Sequence, residues 1–148
     1  DCLLSRGLGD VYKRQGSEVP KFTVITSAAF GAGYYGMCGR AWDPRLIWAW
    51  PNVHMGVMGP EQAASTLADV KIAQLRRKGH EPDTDEMQAL RQRVYDKAER
   101  ESNAYFGTSR LWDDGLLAPV DTRNALGMAL SAASHAPIAD PRYGIFRF

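Results

Sequence analysis

A β-prone run leads straight into a cluster of glycines, and that junction constrains the fold more than any other part of this sequence. Val19 to Thr26 (VPKFTVIT) is rich in β-branched and aromatic residues and reads as a buried strand. Small residues follow at once, and Phe30 to Arg40 reads FGAGYYGMCGR. A strand that enters a glycine-rich turn and then a helix exposes backbone N–H groups at the positive end of the helix dipole. Small side chains let a ligand approach the main chain closely. Such a turn can hold a phosphate or stabilise an oxyanion. Gly31, Gly33 and Gly36 also satisfy the letter of G-x-G-x-x-G, the dinucleotide fingerprint. That motif needs a full crossover helix and an acidic residue at the end of the next strand. Here Gly39 and Pro44 cut the helix short, and the next apolar run ends in Trp50, Pro51 and Asn52, so the context argues against NAD. A packing turn with no ligand remains open on pattern alone.

The rest of the chain alternates short apolar runs with helical periodicity. A short helix is expected from about Gly33 to Cys38, with Gly39 and Pro44 stopping it. Leu46–Trp50 and His54–Met58 read as short apolar segments punctuated by Pro51 and Asn52. Pro60 and Glu61 suit the start of a helix whose apolar face carries Ala64, Leu67, Ala68 and Leu75, interrupted by Lys71. Gly79 to Pro82 breaks it. Asp83 or Thr84 caps a second helix with a stripe of Met87, Leu90, Val94 and Ala98. Trp112 to Pro119 reads as a turn, a short apolar segment and a stop. Asp121 or Thr122 caps a third helix; Ala125 to Ser134 is small and apolar almost all round, which predicts burial, and Pro137 ends it. No internal repeat is visible. Strands followed by helices predict an α+β arrangement or a partial α/β unit, the helices covering one core or docking on a second subunit.

Asp1 to Gln15 (DCLLSRGLGDVYKRQ) has neither helical nor strand periodicity and lacks the sustained apolar region of a signal peptide. It resembles a translated adapter sequence and is expected to be a non-native or disordered leader, leaving one domain from residue 16 to 148. A net charge of +1 gives no general attraction to nucleic acid or membrane. No apolar run approaches the roughly 20 residues that cross a bilayer. Two cysteines, Cys2 and Cys38, make neither a disulfide framework nor a metal cluster, consistent with a reducing, cytoplasmic compartment.

Several separated motifs, in order, carry a resemblance. Phe30 to Ala64 (FGAGYYGMCGRAWDPRLIWAWPNVHMGVMGPEQAA), Ser109 to Ala133 (SRLWDDGLLAPVDTRNALGMALSAA) and the closing RYGIFRF resemble carboxyltransferase (beta) subunits of biotin-dependent acyl-CoA carboxylases, of the methylcrotonoyl-CoA carboxylase type that serves leucine catabolism. Two positions depart from that type and bear on acyl-CoA preference. Tyr34 stands where Asn is usual, and Pro60 where a second glycine is usual. The resemblance implies a crotonase-like fold of repeated ββα units, with this chain most of the second, C-terminal domain and the N-terminal carboxyltransferase domain absent. It implies an oligomer of beta subunits whose active sites lie between the N-domain of one and the C-domain of another. The cofactor it implies is biotin, carried covalently on a biotin carboxylase or biotin carrier partner, and the acceptor it implies is an acyl-CoA similar to 3-methylcrotonoyl-CoA. By motif position, the resemblance implies that the Ala32 and Gly33 backbone amides form the oxyanion hole for the biotin ureido oxygen, with Phe30, Gly31, Tyr34 and Tyr35 on the substrate side. No metal and no general base are implied for this chain, because the released biotin takes the substrate α-proton. Two other readings are a crotonase-fold acyl-CoA enzyme of the hydratase kind, and an assembly domain without chemistry.

Other residues have plainer explanations. His54 lies among apolar residues and reads as a packed core or strand residue, while His80 and His135 have no partner at metal spacing. Asp113 and Asp114 read as turn formers ahead of an apolar segment. Arg76, Arg77 and Lys78 read as a solvated helix end that complements the dipole. Trp42, Trp48, Trp50 and Trp112 read as core or subunit contacts.

Overall fold

A computed structural model describes residues 17–81, 83–137 and 140. The leader, Pro82 of the predicted break, and the closing RYGIFRF lie outside the described residues. The chain runs β1 (Phe22–Ile25), β2 (Ala29–Phe30), α1 (Gly31–Gly36), a 3₁₀ turn (Arg40–Trp42), β3 (Leu46–Ala49), β4 (Met55–Gly56) and α2 (Pro60–Arg77). Then follow α3 (Thr84–Ser102), α4 (Ala104–Ser109), a 3₁₀ turn (Pro119–Asp121) and α5 (Thr122–Ser134). The first half thus repeats one unit: strand, short strand, helix. Equivalent strands pair in parallel, β1 with β3 from Phe22↔Leu46 to Ile25↔Ala49, and β2 with β4 through Ala29↔Met55 and Phe30↔Gly56. This is the ββα repeat of an α/β, crotonase-like partial domain. The repeat escapes the eye in the sequence because α1 has 6 residues and α2 has 18.

Local chemistry sets the element ends. β1 is shorter than the Val19–Thr26 run because Pro20 has no N–H for a ladder, so pairing begins where Arg45 N–H donates to the Lys21 carbonyl at 2.8 Å. Trp50 N–H donates to the Ile25 carbonyl and closes the other end. Pairing with β2 reduces His54–Met58 to the two residues of β4. Helix α1 starts at Gly31, two residues before the predicted start, because Phe30 is still extended and Gly31 turns the chain with φ +57°. Cys38, with φ +69°, ends the turn in the left-handed conformation. Gly39 has a different role from a simple stop: a Cβ there would lie 3.1 Å from both the ring and the carbonyl of Tyr34. Pro60 begins α2, and Asp83 caps α3 by accepting from the Asp85 N–H at 3.0 Å.

Ile25, Ile47, Ala49, Val53, Met55 and Ala104 form the core, with Ala29, Tyr34, Trp50 and Leu116 packed against it. The strands therefore bury against the start of α4, while α2 and α3 pack mainly on each other. Ala64, Ala68 and Met87 are buried in these helices, but Leu67 is exposed. The largest departure from expectation is α5. Its all-round apolar pattern predicts burial, yet Met128 and Leu130 are 70% and 58% exposed and Ala129 alone in the helix is buried. Among the described residues nothing covers these outer faces.

Candidate functional site: the glycine-rich turn

The β2–β4 pairing brings Val57 beside the turn, and this close approach decides where glycine is required. A Cβ on Gly31 would sit 3.0 Å from the Val57 carbonyl oxygen, and the φ of +57° disfavours side chains at the same position. Gly33 is different: its Cβ position has nothing within 4 Å and its φ is not positive. Gly33 thus leaves open space next to the backbone. One side of the turn borders a cavity of about 380 Å³, walled by the Thr23–Phe30 segment together with Gly33, Tyr34 and Met37.

Ala32 and Gly33 lie in the first turn of α1 and are exposed. Amides at that position have no acceptor within the helix, and neither donates elsewhere in the backbone among the described residues. The six predicted residues, Phe30 to Tyr35, are therefore brought together on one turn, but their side chains diverge. Tyr35 is 49% exposed, whereas Tyr34 packs toward the core. The two rings meet at 5.7 Å with a 60° tilt. Burial raises the Tyr34 phenol above its ordinary pKa, opposed by a backbone hydrogen bond from Arg40 and by the Arg40 charge.

Two carboxylates that the sequence assigned to a plain turn brace this region. Asp113 is 3% exposed and accepts from the Thr108 hydroxyl and the Gly115 N–H. Asp114 accepts from both ends of the Arg40 guanidinium at 3.3 and 3.1 Å. The turn was legible as WDDG, but the Arg40–Asp114 pairing spans 74 positions and no local pattern signals it. His54 is a tie rather than a core residue: its Nδ1 meets the Ser102 hydroxyl at 3.1 Å while its side chain stays 43% exposed. His80 and His135 are exposed. Arg76 and Arg77 fall in the last turn of α2, where they complement the dipole. Trp50 donates to the Thr122 hydroxyl and Trp112 stands edge-on to Phe106, so both act in packing. Among the described residues no cluster of His, Cys, Asp or Glu could hold a metal ion, and no helix is long and apolar enough to cross a membrane.

A ββα repeat with its glycine turn at the first helix start is the arrangement of a carboxyl transferase domain. The sequence profile of that domain matches residues 3–143, and the chain belongs to this family. It is 47% identical over 131 residues to the mitochondrial methylcrotonoyl-CoA carboxylase beta chain of Arabidopsis thaliana, covering 88% of this chain and 22% of that one. It is equally similar, at 47% over 131 residues, to the biotin-dependent 3-methylcrotonyl-coenzyme A carboxylase beta1 subunit of Mycobacterium tuberculosis, covering 88% of this chain and 25% of the relative. The crystal structure of the Pseudomonas aeruginosa geranyl-CoA carboxylase beta subunit superposes with a TM-score of 0.76 at 35% identity, over 99% of this chain and 28% of that subunit. The chain spans about a quarter of the length of these relatives.

Proposed function

We propose that this chain supplies the biotin-facing half of a carboxyltransferase site in a biotin-dependent acyl-CoA carboxylase, with an acceptor similar to 3-methylcrotonoyl-CoA. The observation that carries the reading is the pair of amides, Ala32 and Gly33, with no acceptor among the described residues and with open space where a Gly33 side chain would lie. A flat ureido ring fits such a surface, because it can approach the main chain without meeting a Cβ. Biotin, when carboxylated on a partner subunit, supplies the carboxyl group and gains negative charge on its ureido oxygen as that group leaves. The Ala32 and Gly33 N–H groups are fixed donors aimed at this charge, and fixed donors stabilise a transition state without reorganising. Gly31 sets the angle of the turn. Phe30 and Tyr34 support it from the protein side, and the exposed Tyr35 ring faces the acyl-CoA. No side chain here is assigned the substrate α-proton.

The partners in this reading are a biotin carboxylase or biotin carrier subunit, an N-terminal carboxyltransferase domain, and further beta subunits in an oligomer. The free, buried Cys38 fits a reducing compartment such as the cytoplasm. Similarity to carboxylase beta chains favours carboxyl transfer over a hydratase that uses the same turn for a thioester, and over an assembly domain without chemistry. The two enzymes separate in one assay on the full-length protein with its carrier. Carboxylation of 3-methylcrotonoyl-CoA that avidin blocks supports the proposal. Avidin-insensitive hydration of an enoyl-CoA, with no carboxylated product, overturns it.

A further inference from the structure

We propose that Asp114 is a positioning residue for carboxyl transfer, holding the glycine-rich turn in register with the core strand β3 through Arg40. This rests on the reading of the turn as the carboxyl-donor site. Asp114 is fixed to β3 twice: its N–H donates to the Ile47 carbonyl at 2.7 Å, and its Oδ2 accepts from the Ile47 N–H at 2.8 Å. Ile47 is fully buried at the centre of the core, so the carboxylate is anchored to the least movable part of the molecule. The neighbouring Asp113 holds the same loop through Thr108 and Gly115. From this base Asp114 offers both oxygens to the two terminal nitrogens of Arg40. A two-point fork fixes direction as well as distance.

Arg40 passes that placement to the turn. It follows Gly39, which lies against the Tyr34 ring, and Tyr34 is the residue after Gly33. Gly39 and Cys38 also donate to the Tyr35 carbonyl at 3.4 and 3.0 Å. On the opposite side the Thr23 hydroxyl donates to the Cys38 carbonyl at 2.9 Å, tying the same segment to β1. The turn is therefore suspended between two paired strands, with Asp114 as the β3 anchor. The Arg40 and Asp114 side chains are 42% and 32% exposed. Ion pairs this open add little to folding stability, so the effect of the fork falls on placement.

The test uses the full-length carboxylase holoenzyme with Asp114→Asn, Arg40→Gln, Arg40→Lys and the double variant Asp114→Asn/Arg40→Gln. Displacing a reacting geometry by a fraction of an ångström to one ångström costs about ten- to a hundredfold in rate. Asp114→Asn and Arg40→Gln are each expected to lower kcat within that range, leaving the KM for acyl-CoA and the thermal midpoint unchanged. The double variant should be no worse than the poorer single one. Arg40→Lys, which keeps charge but not the fork, should fall between wild type and Arg40→Gln. Should Asp114→Asn fail to fold, Arg40→Gln decides, since it leaves the Asp114–Ile47 bonds in place. Wild-type kcat in folded Arg40→Gln, next to an inactive Gly33→Val enzyme, rejects the anchor and leaves the reading of the turn standing. Wild-type turnover in Gly33→Val rejects the reading of the turn, and the anchor's role with it.

Discussion

Gly31 and Gly33 stand two positions apart, yet they owe their identity to different causes. Gly31 is required by the chain itself: φ is +57°, and the Val57 carbonyl lies 3.0 Å from where a Cβ would be. Gly31→Ala should destabilise the domain by about 1–3 kcal/mol, the cost of a non-glycine residue held in a sparsely populated conformation, measured by urea unfolding. Gly33→Ala meets nothing within 4 Å and should leave stability within about 0.5 kcal/mol of wild type. The sequence displayed both glycines and their place after a strand. It did not separate the structural one from the open one, because positive φ at Gly31 depends on β4 arriving beside the turn. Asp113 teaches the same lesson. Its place in a turn was legible, and its bond from the Gly115 N–H is local to that turn, but its burial and its bond from Thr108 at the end of α4 were not.

At the scale of elements, the long amphipathic helices and the strand within Val19–Thr26 were readable, and the two-residue strands β2 and β4 were not. α2 and α3 have enough turns for apolar spacing to show, and Asp83, at the position where a cap is expected, accepts from the Asp85 N–H. Asp83→Ala should cost about 1 kcal/mol, the usual worth of an N-cap, visible as lost helicity and a lower urea midpoint. β2 and β4 contain two residues each, too few for any alternation to register, and they exist because they pair with each other. α5 is the instructive failure. An all-round apolar pattern states that a helix is covered without stating by what, and among the described residues most of α5 faces outward. Exposed apolar area of this kind favours association. The isolated chain should therefore self-associate in light scattering, and replacing Met128 and Leu130 by Gln should reduce that association without changing its circular dichroism. Equal association in both would place the contact elsewhere.

At the scale of the whole molecule, family membership rests on motifs dispersed along the chain, which local periodicity could not have supplied. The domain covers about a quarter of its relatives, and the proposed site presents only the donors for the carboxyl-giving side. On its own the chain is expected to transfer no carboxyl group to 3-methylcrotonoyl-CoA. Product formed by the purified chain alone would show that it holds a complete site. The central claim is that the Ala32 and Gly33 amides stabilise charge on the departing carboxyl donor. Gly33→Val in the full-length enzyme tests it most directly, because a Cβ at Gly33 meets nothing within 4 Å among the described residues. A branched side chain there would hold the ring away from the donors. Loss of one such donor costs roughly 3 kcal/mol, or about a hundredfold in rate. The expected result is a folded enzyme that binds acyl-CoA normally and transfers carboxyl from carboxybiotin at about one hundredth of the wild-type rate. A folded Gly33→Val enzyme with wild-type turnover would contradict the claim, and the open glycine would then have no part in the chemistry.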